Sequence, residues 1–147
     1  MSIERPIMRI TGERRQDCLD FANRILGVNF RMDNVKMISH VDENDQPCAV
    51  VLFTNANKSG CEMSIASDGK WVATREFLRE CFYYVFVTCG FNRAHAVVEH
   101  ENQKALIFNQ RIGFKAEAFL QSWFELNSHG VLLVMFKHEC KWLRREK

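Results

Sequence analysis

The sequence predicts one α/β domain over residues 1–147, with a mixed, mostly antiparallel central sheet flanked by helices. Three observations predict it. Seven short stretches are apolar and β-branched or alternate apolar with polar residues. Three longer stretches repeat their apolar residues at helical spacing. No Pro/Gly-rich linker, repeat or low-complexity segment divides the 147 residues.

The elements follow in order. Ile7 to Ile10 reads as a short first strand. Arg14 to Leu26 places Cys18, Phe21, Ala22 and Ile25 on one helical face, and Gly27 stops it. Val35 to Val41 and Cys48 to Thr54 form a hairpin across the turn-rich Asp42 to Pro47. After a second turn at Asn55 to Gly60, Cys61 to Ala66 sets Cys61, Met63 and Ile65 against Glu62 and Ser64, a strand with one polar face. Val72 to Cys89 is the longest helical pattern, with Phe77, Cys81, Tyr84, Val85 and Thr88 on its apolar side and Gly90 at its end. Ala94 to Val98 is a strand, and Asn102 to Arg111 is a helix closed by Gly113. Phe114 to Leu120 and Val131 to Phe136 are the last strands, joined by a nine-residue connection, Gln121 to His129. The order is β-α-β-β-β-α-β-α-β-β. Short turns imply antiparallel pairing early in the chain, and the later strand–helix alternation implies parallel pairing.

Composition narrows the function. The chain is 47% hydrophobic, with twelve Phe, which fills a core. A formal charge of +2 lacks the clustered basic excess of a nucleic-acid binder. The basic run Lys141 to Lys147, with Arg144 and Arg145, reads as a solvated tail. No apolar stretch reaches the roughly eighteen residues of a membrane helix, and the N-terminus has no signal-peptide pattern, so a cytoplasmic protein is expected. The six cysteines contain no C-x-x-C pair and are expected buried and reduced. His138-Glu139-Cys140 has no second ligand pair elsewhere, so no metal centre is expected. Hydrolase, zinc-protease and Walker motifs do not occur.

Three segments point to one chemistry. Asn102-Gln103-Lys104-Ala105 followed by Ile112-Gly113-Phe114-Lys115-Ala116-Glu117 resembles N-x-x-A/S … L/I-G-F-x-x-E. Asp68-Gly69-Lys70-Trp71-Val72-Ala73-Thr74-Arg75-Glu76 is similar to a G-K-G-Y-A-T-E loop and helix start. The ending, Met135 to Leu143, resembles the final strand and tail of small proteins, many encoded by tailed phages. With the element order, these segments resemble the GNAT superfamily of acyl-CoA-dependent N-acetyltransferases. The loop is nearest to the branch that acetylates ribosomal-protein N-termini.

The resemblance implies acetyl-CoA as co-substrate. Backbone N–H groups and the helix dipole would bind its pyrophosphate at Lys70, Trp71, Val72, Ala73 and Thr74. The pantetheine arm would lie along Met63, Ile65 and Ala66, where strands Cys61–Ala66 and Ala94–Val98 splay, with Asn102 beside it. Amine acetylation also needs a base, and Glu62 on the polar face of its strand is the candidate. Ser64 on the same face, and Glu99 and His100 after the fifth strand, at the end where ligands bind in such sheets, are further polar candidates, and His40 and His95 read as structural.

The departures from the family pattern are physical. Asp68 puts an acid where the loop normally carries Gln or Arg. Trp71 stands where the first glycine stands, and Asn109 where many members carry a Tyr acid. Two readings follow. The first is an N-acetyltransferase for a primary amine: a protein N-terminus, a lysine or a small amine. The second is a catalytically weak or inactive GNAT-like protein that binds and modulates a host protein, in the host cytoplasm if it is phage-encoded. Trp123, Phe124 and Leu126 would then serve as a partner patch or a homodimer contact.

Overall fold

A computed structural model describes residues 8–144. The observed elements keep the predicted order. They are β1 (Arg9–Thr11), α1 (Gln16–Leu26), β2 (Lys36–Val41), β3 (Pro47–Thr54), β4 (Gly60–Ser67), α2 (Arg75–Tyr83), β5 (Arg93–Glu99), α3 (Gln103–Ile112), β6 (Lys115–Glu125) and β7 (Ser128–Phe136). The strands form a seven-stranded, mostly antiparallel sheet in the order β1-β2-β3-β4-β5-β7-β6, flanked by helices. Of the first predicted strand, Ile7 lies outside the described residues, as do residues 145–147 of the basic tail.

The chain divides into two compact units. One holds the residues up to Thr54 together with Ser64–Cys81; the other holds Asn55–Met63 together with everything from Phe82 on. In the first unit, α1 buries Cys18, Leu19, Phe21 and Ala22 in a cluster with Met37, Val41, Val50, Leu52 and Ala66. The apolar spacing of α1 makes that face, and Gly27 ends the helix in the left-handed region at φ 67°. The β2–β3 register runs from Lys36↔Phe53 to Val41↔Pro47, with a bulge at His40/Val41. Pro47 is tolerated because it opens the strand.

In the second unit, β4 pairs β5 in parallel through Gly60↔Arg93, Cys61↔Ala94 and Glu62↔His95. The adjacency of these two strands agrees with the sequence expectation. The expected parallel pairing does not extend from β5 to β6, which are not neighbours in the sheet. The β7 strand runs antiparallel to both β5 and β6 and stands between them. The α3 crossover therefore passes β7's place in the sheet, which a strand–helix–strand pattern cannot reveal. Phe82, Phe86 and Phe114 pack together in this unit, and all three are buried.

Three further differences from the sequence reading matter. The helix expected from Val72 starts only at Arg75, so Val72–Thr74 remain loop, and from Tyr84 to Thr88 the helix widens into a π-turn. The expected connection Gln121–His129 is mostly strand: β6 and β7 run on to a tight turn at Leu126-Asn127, where Asn127 has φ 67°. Aromatic residues such as Trp123 and Phe124 suit a strand as well as a pocket wall. The regular alternation expected along β4 also fails. Cys61 and Met63 are buried, but the next buried residue is Ala66, and Ile65 is half-buried.

Candidate active site

The loop between β4 and α2 is built by Asp68. Its Oδ1 accepts the backbone N–H groups of Lys70 at 3.0 Å and Trp71 at 2.9 Å, while its own N–H donates to the Cys48 carbonyl at 3.0 Å. This is an Asx-type turn, and Gly69 supplies the positive φ of 82° that it needs. The consequence is electrostatic. A carboxylate already sits on two of the loop donors expected to receive a phosphate.

Trp71 does not crowd the loop. Its ring turns inward, and the indole Nε1–H donates to His40 Nδ1 at 2.9 Å. His40 is buried and stacks on Phe77 at 4.9 Å and 6°, and Trp71 meets Phe77 edge-on at 5.3 Å. Burial holds the His40 pKa below its ordinary value, against a smaller upward pull from Glu76. Its imidazole is therefore neutral at pH 7, with the Nδ1 lone pair facing the indole.

The helix behind the loop is capped. Thr74 Oγ1 accepts the Phe77 N–H at 3.1 Å, and its carbonyl accepts the Leu78 N–H. Thr74 is thus the N-cap of α2, satisfying a donor that would otherwise point into solvent. Lys70 and Val72 are exposed, and Ala73 is half-buried.

The remaining candidates lie on or beside β4, β5 and α3. Glu62 is half-buried, and its Oε1 lies 3.6 Å from His95 Nε2. Met63, one residue on, is buried. Asn102 is the N-cap of α3: its Oδ1 accepts the Ala105 N–H at 3.2 Å. Asn109, standing at the position of the absent Tyr, is buried and donates from Nδ2 to the Ala105 carbonyl at 2.8 Å. It serves its own helix. Of the other polar candidates, Ser64 is half-buried and Glu99 and His100 are exposed; His100 packs edge-on to Phe119 at 5.5 Å.

The cysteines differ in detail from the expectation. All six cysteines are free, but Cys89 is exposed and Cys48 half-buried, against the expectation of uniform burial. His138 stacks on Phe136, Glu139 pairs with Lys115 at 2.5 Å, and Cys140 is buried.

Sequence reasoning missed two relationships. The Asp68 turn had a local signal, since an Asp-Gly pair between two elements is a turn pattern in which the Asp side chain bonds the backbone ahead of it. The Glu62–His95 approach had none, because it depends on the β4–β5 register.

No protein-family model matches the sequence, and no curated protein matches it. Solved structures do. The chain is similar to a spermidine N-acetyltransferase from Vibrio cholerae, solved in complex with CoA and spermine. The TM-score is 0.73 at 16% identity, over 93% of this chain and 98% of that one. It is also similar to a ribosomal-protein-S5-alanine acetyltransferase from Vibrio fischeri. There the TM-score is 0.70 at 13% identity, over 97% of this chain and 98% of that one. The chain therefore has the GNAT fold, the fold of these N-acetyltransferases, along nearly its whole described length.

Proposed function

We propose that the protein is an acetyl-CoA-dependent N-acetyltransferase acting on a primary amine in the cytoplasm. The observation that carries this reading is the half-buried Glu62 carboxylate on β4 of a GNAT fold. The spermidine and ribosomal-protein enzymes to which it is similar both acylate amines, and the first was solved with CoA.

Some features of the chain fit CoA. The first turn of α2 offers a positive dipole end behind Thr74, and Lys70 adds an exposed cation. Met63, Ile65 and Ala66 on β4 are the apolar residues for the pantetheine arm, with Trp71, Val72 and Ala73 in the phosphate loop. Asn102 is a polar neighbour of the arm, its Oδ1 already engaged by α3. Asp68 opposes the pyrophosphate and weakens binding. Glu62 takes a proton from the substrate ammonium, and the freed lone pair attacks the thioester carbonyl. The C–N bond forms, the C–S bond breaks, and the second N–H proton ends on the departing thiolate.

A second reading rests on a different observation. The β6–β7 hairpin exposes Trp123 at 57%, Phe124 at 50% and Leu126 at 83%. Together with Asp68 on the loop donors, this favours a catalytically weak or inactive protein that uses the hairpin to bind another protein or a second copy of itself.

One experiment separates them. Acetyl-CoA is titrated by calorimetry, and acetyl transfer is assayed with spermidine and with a peptide bearing an N-terminal alanine. Binding with turnover that Glu62→Gln lowers roughly 100-fold supports the enzyme. No heat and no turnover at millimolar acetyl-CoA rejects it.

A further inference from the structure

We infer that His95 is a positioning residue for the Glu62 base, the two forming a carboxylate–imidazole pair that relays the acceptor amine's proton; this rests on the acetyl-transfer reading above. The pair arises from strand register. Glu62 and His95 are the last registered partners of the parallel β4–β5 ladder, so both side chains leave the same face of the sheet. Oε1 and Nε2 stand 3.6 Å apart, and both side chains are largely withdrawn from water, at 20% and 25% exposed. That separation is longer than a hydrogen bond and short enough to close by a small rotation or one bridging water.

The surroundings leave this pair to itself. Arg93 precedes His95 by two residues on the same face, but its guanidinium is turned to Glu117 on β6, at 3.2 Å, and lies over the Phe136 ring on β7. Val97 follows by two, and Val134 is the β7 partner of His95. Cys61 precedes Glu62 in β4, and burial pushes its thiol up to about 12, so it stays neutral. Glu99, farther along β5, is directed to the Ser128 hydroxyl at 3.4 Å. Among the described residues, Glu62 is the carboxylate paired with His95.

The chemistry follows. Glu62 accepts one ammonium proton: an N–H bond breaks and an O–H bond forms. The amine adds to the acetyl carbonyl, the C–S bond breaks, and the departing CoA thiolate takes the second N–H proton. The proton on Glu62 then passes to His95 Nε2, which restores the carboxylate, and the imidazolium gives it to water. A His95 nitrogen that is free of its proton is needed for each turnover. The rate therefore rises with pH as the imidazole gives up its proton.

Two measurements test this. The first follows the His95 imidazole nitrogens by NMR across pH in wild type and in Glu62→Gln. A midpoint that falls when the carboxylate is neutralised supports the pair. An unchanged midpoint overturns it, whatever the activity. The second measures kcat and KM for spermidine or the alanine peptide from mildly acidic to mildly alkaline pH, for wild type, His95→Gln, Glu62→Gln and the double variant. Expected is a kcat lowered about 10-fold in His95→Gln, below the usual 10²–10⁴-fold contribution of a direct acid or base. KM for acetyl-CoA should stay unchanged, the acid limb should flatten, and the double variant should be no slower than Glu62→Gln alone. Wild-type kcat and pH profile in His95→Gln overturn the role while leaving the acetyltransferase reading intact. A wild type that binds no acetyl-CoA and acetylates no amine overturns both.

Discussion

The indole N–H of Trp71 is bonded to Nδ1 of the buried His40 at 2.9 Å, tying the loop before α2 to the second strand of the sheet. The bond needs a neutral imidazole, because a protonated Nδ1 has no lone pair to accept it. Trp71→Phe keeps the ring and removes the donor. It leaves a buried acceptor unpaired, which costs about 1–2 kcal/mol. A urea titration at pH 7.5 should show the midpoint moving down with an unchanged slope.

Protonation should act on the same contact. Burial lowers the folded-state pKa of His40 below the ordinary 6.5. Between those two values the unfolded chain binds more protons than the folded one, so stability rises with pH there. The contribution is complete above about pH 6.5 and is lost as the pH falls through the folded value. Urea midpoints measured from pH 7.5 downward should fall through this window, and His40→Phe should remove that part of the slope.

Asp68 holds two loop N–H groups that a pyrophosphate would need. Asp68→Asn preserves an acceptor for the turn and removes the negative charge. Calorimetric titration with CoA should show several-fold tighter binding, with the difference shrinking as salt is added. Equal affinity in the two proteins would place the phosphates elsewhere.

Gly60 opens the β4–β5 ladder where a Cβ would run into the Arg93 carbonyl. The obstacle is backbone, so it cannot swing aside. Gly60→Ala should destabilise the protein by about 1–3 kcal/mol, as overpacking does. Amide exchange in Arg93–His95 should speed up more than exchange in α1.

The cysteines should react in sequence. Cys89 is exposed; Cys61 and Cys81 are buried, and burial raises both thiols far above neutrality. A thiol reagent at pH 8 should label one group quickly in the native protein, and Cys89→Ser should abolish that phase. All six should react in denaturant without reductant.

The sequence by itself determined the order of elements, because burial of apolar side chains imposes a period of 2 on strands and 3.6 on helices. The face of α1, its Gly27 cap and the Gly113 close of α3 were legible for that reason, as was the resemblance carried by the Asn102 and Gly113-Phe114 segments. Other features depend on residues far apart in the chain. The place of β7 between β5 and β6 is one, since neighbours across a sheet leave no periodic trace in either strand. The inward turn of Trp71 is another: its partner His40 lies 31 residues earlier. The reach of the β6–β7 hairpin was hidden because Gln121 to His129 mixes polar and aromatic residues without a strand period, yet both strands run on to the Leu126-Asn127 turn. The Glu62–His95 approach depended on register alone. A shift of one residue would have sent the two side chains to opposite faces of the sheet.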